Sequence, residues 1–165
     1  MTAQITTNEL IHSVVTLLTE AYAGPPDPSS TWFIDNEPDS GILGLIRTVS
    51  AEEASTSVDN TGNSGTTIAA NIEHLRWSLA NANAALRGKD YDNHWSESWK
   101  LIHADKTIWD QLRQELSKEY EALCQGLKMQ KDLPEQYMLG VVALVAHAAY
   151  HLGTIRQMIE RVRSR

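Results

Sequence analysis

Cysteine is almost absent: Cys124 is the only one in 165 residues. No internal disulfide can form, and a reducing compartment is expected. Basic charge is in deficit, with 14 Lys and Arg against 21 Asp and Glu and a net charge of −7. A nucleic-acid partner would want a basic face, so none is expected. Long hydrophobic runs are missing too. No uninterrupted apolar stretch reaches about 18 residues, so no membrane span is expected. The N-terminus lacks a basic segment followed by an apolar one, so no signal peptide is expected. Strand-like alternation and internal repeats are also missing. These absences together lead us to expect a soluble cytoplasmic protein, folded as a single domain over 1–165 and large enough for a real core.

Helical periodicity is what the chain does have. Thr6 to Glu9 reads as a capping box, and Leu10, Val14, Leu17 and Ala21 follow as a seam that ends at Gly24-Pro25-Pro26. Residues 24–65 form a long connection that Trp32 and Phe33 are expected to anchor. Within it, Ile42 to Val49 predicts a short extra helix after Asp39 or Ser40. Ser50 to Glu53 is a second capping box, and Asp59 to Gly65 is a turn-rich loop. Thr66 or Thr67 can cap a long helix carrying Ile68, Ile72, Leu75, Leu79, Ala82 and Leu86, with Gly88 as its stop. Lys89 to Ala104 has no steady period and reads as an extended connection, held down by Trp95 and Trp99. It can reach about 50 Å at roughly 3.3 Å per residue. The preceding helix is only about 30 Å long at 1.5 Å per residue. The next helix can therefore start at the same end, capped by Asp105 and carrying Trp109, Leu112, Leu116, Tyr120, Leu123 and Leu127. Asp132-Leu133-Pro134-Glu135 reads as the start of a fourth helix, with Asp132 as its cap. The closing arginines, Arg156, Arg161, Arg163 and Arg165, complement the dipole at its C-terminal end.

On that fourth helix Val141, Val145, Ala148, Leu152, Ile155 and Ile159 make the seam, and His147 and His151 lie on the stripe beside it. Side chains four apart on a helix are neighbours, with Cβ atoms about 6 Å apart. Two imidazoles so placed can reach one ion. A chance pair, each ring hydrogen-bonded in the core, has the same spacing. His74 sits beside the seam residue Leu75 on the second long helix and is the candidate third ligand. His12, His94 and His103 read as surface or loop residues. Cys124 reads as a small buried filler, Tyr150 as packing and Arg156 as the partner of an acidic side chain. No residue stands out as a general base, since Glu73 points about 100° away from His74 around the helix.

Four segments together resemble the DinB/YfiT-like superfamily of metalloenzymes: Trp32-Phe33-Ile34-Asp35, Ser50-Ala-Glu-Glu-Ala-Ser55, Thr66-Thr-Ile-Ala-Ala-Asn-Ile-Glu-His-Leu75 and His147-Ala-Ala-Tyr-His-Leu-Gly-Thr-Ile-Arg-Gln157. The resemblance covers nearly the whole chain, and the last segment is its most specific motif. It implies an all-α fold, a left-handed four-helix bundle of up-down-down-up topology. It also implies a divalent ion, nickel or zinc, ligated by His74, His147 and His151. A small-molecule substrate and a homodimer follow from the same resemblance. Its relatives include bacillithiol S-transferases and the mycothiol-dependent maleylpyruvate isomerase, so a low-molecular-weight thiol is an expected co-substrate. The leading expectation is thus a metal-dependent, thiol S-transferase-like enzyme. The alternatives are a metal-dependent hydrolase and a non-catalytic, stress-related metal-binding or assembly module.

Overall fold

The computed structural model describes residues 5–32, 36–59, 61, 63, 65–90, 92 and 94–165. The expected anchor Phe33, with Ile34 and Asp35 of the same motif, lies outside the described residues, as do Asn60, Gly62 and Ser64 of the turn-rich loop. The chain is all-helical: α1 (Thr7–Ala23), α2 (Ile42–Arg47), α3 (Ala51–Ser55), α4 (Ile68–Leu86), a 3-10 turn (Trp95–Trp99), α5 (Lys106–Lys128) and α6 (Glu135–Arg163), with no strand among the described residues.

Local chemistry sets most of the boundaries. The Thr6/Glu9 and Ser50/Glu53 capping boxes are both formed, each satisfying backbone N–H groups at its helix start. Thr67 and Asp105 cap α4 and α5 through their side chains. Gly24, at φ 105°, ends α1 in a backbone conformation that suits glycine. The short helix α2 begins one residue later than expected, with Gly41 as its N-cap, and α3 is a second short helix rather than a bare turn. Asp132 does not cap α6. The helix starts at Glu135 with Pro134 in the cap position and no side-chain cap. A residue before proline avoids the α region, so Leu133 cannot open the helix that an Asp132 cap would need.

The long helices bury one stripe each. Leu18, Leu75, Leu116 and Leu127 are fully buried, and Leu152 nearly so. Each such side chain stabilises the fold by about 1.5–3 kcal/mol relative to an exposed one. α4 packs along both α5 and α6, and α1 packs against the same two helices. Contacts between α4 and α5 run in the same order along both helices: Arg76 to Glu115, then Asn83 to Glu119, then Leu86 to Gly126. Those between α4 and α6 run in opposite order, His74 meeting His147 while Asn71 meets Met158. The 89–104 connection does return: Ala104 N–H donates to Ser55 Oγ at 2.9 Å, and that hydroxyl donates back to the Ala104 carbonyl at 3.1 Å.

Two expectations need correction, and a third acquires a qualification. The Trp32 indole does not anchor the α1–α2 connection, because it is 72% exposed. The tie is the Trp32 backbone N–H, which donates to the buried Glu20 carboxylate at 2.9 and 3.1 Å. The arginines at the end of α6 do more than face the dipole. Arg163 donates to Glu53 and to the Thr48 carbonyl, and Arg165 donates to the Ser57 and Val58 carbonyls, fastening α6 to the segment that leads into α4. Finally, α6 has the length and composition to cross a membrane over Tyr137–Arg163, with a mean hydropathy of 1.6 in its most apolar window. His147, His151, Gly140, Gly153 and Thr154 interrupt the apolar run, so the segment is apolar on average rather than continuously. Only 28% of the window is buried, and Leu139, Val142 and Tyr150 are exposed along α6.

Candidate metal centre

The first half of α4 is buried on nearly all sides, from Ile68 through Ile72 and on to Leu75. His74 is therefore carried into the interior rather than to the surface. Opposite it, the fully buried Ala148 gives α6 a small residue between His147 and His151. The nitrogens that the three histidines can offer to a metal all lie within 4.8 Å of one another. His74 Nε2 and His147 Nε2 are 3.0 Å apart. His74 and His151 are buried, and His147 is half-buried. No cysteine or carboxylate belongs to this cluster among the described residues.

The outer ring nitrogens fix how two of the rings present themselves. Ser98 Oγ donates its proton to the Trp95 carbonyl at 2.7 Å, so towards His74 Nδ1, also at 2.7 Å, it accepts. His74 thus carries its proton on Nδ1 and turns a lone pair on Nε2 inward. The same logic holds for His151. Its Nδ1 lies 3.0 Å from Asn71 Oδ1, an acceptor only. The Asn71 amide cannot be reversed, because its Nδ2 donates to the Gly65 and Thr67 carbonyls. Such outer partners are what orient histidine ligands and set their tautomer. Trp99 stacks on His74 with ring centres 4.0 Å apart and planes 14° from parallel. Gly65, at φ 84°, lets Trp99 in, since a Cβ there would sit 3.3 Å from the indole.

Burial makes all three rings reluctant to take a proton. It pushes His151 down to about 3, helped by His147 and His74, and pushes His74 down to about 4, helped by His147. Burial alone lowers His147. All three are neutral at pH 7, the form in which imidazole binds metal. Stability follows with a definite sign. An unfolded histidine near 6.5 binds protons that the folded one refuses, so the unfolded state gains as pH falls. In chelator, the urea midpoint will be flat with respect to these groups above about pH 7.5. It will fall from about pH 6.5 towards pH 4 and below, and His74→Gln should flatten part of that slope. A midpoint independent of pH across this window would contradict neutral burial.

The other titratable candidates lie elsewhere. His12, His94 and His103 are exposed, and His94 Nδ1 pairs with Asp92 at 2.7 Å. Glu73 is held by Arg76 at 2.6 Å, away from the cluster. Cys124 is buried and its thiol is pushed up, which keeps it protonated. Tyr150 is not packing in the interior: it is 70% exposed, and its ring stands T-shaped to His151 with centres 5.1 Å apart. Arg156 donates to the Ser40 carbonyl at 2.8 Å.

Asn71, Ser98 and Trp99 escaped the sequence reading. An asparagine three residues before His74, at a buried position between Ile68 and Ile72, was the available signal for the first. Ser98 and Trp99 belong to the aperiodic connection, which folds into the 3-10 turn and lies over the cluster rather than remaining extended. From His147 a pocket of about 490 Å³ runs between α4 and α6, walled by Trp77, Trp95, Leu86, Val141 and Leu144. No family model, curated protein or solved structure matches this chain.

Proposed function

We propose that this chain is a metal-dependent enzyme of the DinB/YfiT-like kind, in which His74, His147 and His151 hold one divalent ion and the reaction is thiol-dependent S-transfer. The carrying observation is the cluster itself: three neutral imidazoles within 4.8 Å, two of them oriented from behind by Ser98 and Asn71, with the third on an open pocket. The parallel α4–α5 pair and the antiparallel α4–α6 pair support a four-helix bundle of up-down-down-up topology as its scaffold.

The donor set fits a catalytic ion better than a structural one. Structural zinc sites usually fill four positions from the protein, whereas three histidines leave a position open. Imidazole suits nickel or zinc. When bound, such an ion supplies a Lewis acid that lowers the pKa of a thiol or water taken at the open position. The chain's own residues do the rest. Ser98 and Asn71 hold two rings in their ligating tautomers, Trp99 shields His74 from water, and His147 borders the space where a substrate can lie. In the transfer, the thiol sulfur bonds to an electrophilic carbon, the leaving group departs with the bonding pair, and the thiol proton is released.

Cobalt-loaded protein titrated with bacillithiol, mycothiol, glutathione and coenzyme A tests the reading. One of these thiols should perturb the visible cobalt spectrum and then be transferred to a haloarene, and His147→Ala should lose both effects. If no thiol perturbs the spectrum while ester or amide cleavage tracks metal content, the enzyme is a hydrolase. If metal binds and neither reaction occurs, the non-catalytic module replaces both.

A further inference from the structure

The wall of the pocket beside His147 is mostly apolar, and of its polar residues, Ser78, Asn81, Asp92 and Tyr137, two can select among ligands. Leu86, Val141, Leu144 and two tryptophans supply its surface, and a volume of about 490 Å³ suits a small organic molecule. Asp92 is the only charged residue on that wall among the described residues. Its carboxylate is fixed in place: the His94 backbone N–H donates to it at 2.8 Å, the His94 ring Nδ1 lies 2.7 Å from it, and the Trp77 side chain donates as well. Those donors hold its pKa below the usual carboxylate range. The Asp92 backbone is pinned to α4 through Asn81, whose amide donates to the Asp92 carbonyl at 3.0 Å and accepts the Asp92 N–H at 3.2 Å. Asn81 and Asp92 thus have their hydrogen bonds made. Ser78 does not. It is 7% exposed, one helical turn beyond His74 on the same face of α4, and its hydroxyl has no hydrogen-bond partner among the described residues. A buried hydroxyl without a partner is costly, and a ligand that provides one is favoured.

We propose that this pocket binds an apolar molecule that is uncharged or cationic, pairs one polar group of it with Ser78, and rejects carboxylates and phosphates through Asp92. The inference deepens the reading above by naming the class of electrophile that would lie beside His147. It rests on that reading only for where reaction occurs, since the binding itself needs no metal. Asp92 is exposed, at the solvent side of the lining, and a fixed negative charge there opposes entry of a ligand anion, whereas a neutral ligand of the same shape meets no such opposition.

Three isosteric probes separate the terms: 4-nitrobenzyl alcohol, 4-nitrotoluene and 4-nitrobenzoate. Each nitroarene quenches tryptophan fluorescence, and Trp77 and Trp95 line the pocket. The full chain is titrated with each probe, both in chelator and loaded with zinc. We expect saturable quenching by the alcohol in both states, with 4-nitrobenzoate at least about tenfold weaker. Asp92→Asn keeps an acceptor for Trp77 and should bring the benzoate to within about threefold of the alcohol. Ser78→Ala should cost the alcohol about fivefold, one hydrogen bond's worth, and leave 4-nitrotoluene unchanged. Gly140→Leu is the blocking control. Gly140 lines the pocket, and a Cβ there meets nothing within 4 Å, so the helix tolerates the change while the pocket fills. Equal affinity for alcohol and benzoate in the wild type, or quenching that survives Gly140→Leu, overturns the proposal. Selective quenching by a chain that binds no metal would leave this inference standing and remove the metal reading. Metal binding without selective quenching would do the reverse.

Discussion

Alanine at His151 will abolish tight metal binding while leaving the helices folded. His151 is one of three donors, and its loss leaves two nitrogens, His74 Nε2 and His147 Nε2, to hold the ion. The graded control is Asn71→Leu. It keeps every ligand but removes the acceptor that holds the proton on His151 Nδ1. Loss of such an outer partner costs about 10- to 100-fold in affinity. The ordering expected from competition with a chelator is therefore wild type, then Asn71→Leu, then His151→Ala, which should fall well below it. Far-UV circular dichroism in chelator should retain the helical signal in all three. The core supplies that stability without the ion, since Leu18, Leu75, Leu116 and Leu127 belong to one buried apolar cluster that includes no metal ligand. If Asn71→Leu bound metal as tightly as wild type, the argument from tautomers would fail.

Trp109→Ala will cost about 3–5 kcal/mol of folding stability, the range for emptying a buried tryptophan site. Trp109 is 1% exposed in α5, and its indole N–H donates to the Val49 carbonyl at 2.8 Å. The Arg113 guanidinium lies over its ring, 5.7 Å from the ring centre. It therefore joins α5 to the link between α2 and α3, which in turn leads into α4 and the cluster. Trp109→Phe separates the two contributions. It fills much of the volume but leaves the Val49 carbonyl without its donor, and should cost about 1–3 kcal/mol. Urea denaturation at pH 7.5 measures both. Equal losses for Ala and Phe would show that the hydrogen bond, not the packing, dominates.

The helices could be read from the chain because their signals are local. Thr6 with Glu9 and Ser50 with Glu53 form reciprocal caps within three residues, and the apolar steps from Ile68 to Leu79 follow the turn of the helix. The α6 start was misplaced because two local signals compete there. Asp132 has the chemistry of a cap, but Pro134 denies Leu133 the helical conformation. The His147/His151 pair was visible for the same local reason, as a single turn of one helix. His74 was a candidate from its place beside the seam residue Leu75, but only the resemblance tied it to the pair, and the structure brings it to them across α4 and α6. What stayed hidden depends on distant partners. Nothing near Ser98 in sequence shows that its hydroxyl will meet His74, 24 residues away. Likewise Trp95 and Trp99 read as fasteners of a connection, whereas Trp99 lies flat on a candidate ligand and Trp95 walls the pocket. Tertiary contacts of this kind leave no periodic trace in a sixteen-residue aperiodic stretch, and Ser98 and Trp99 would have needed the fold to be found.

The central claim is that His74, His147 and His151 form one metal site, and elemental analysis of protein purified without an affinity tag tests it most directly. Wild-type protein and a His74→Ala/His147→Ala/His151→Ala variant would be equilibrated with nickel or zinc, passed over a desalting column and analysed side by side. The account predicts one equivalent of divalent ion per wild-type chain and none in the variant, with both chains helical. Equal metal content in the two proteins, or a folded wild type that retains no ion, would contradict it.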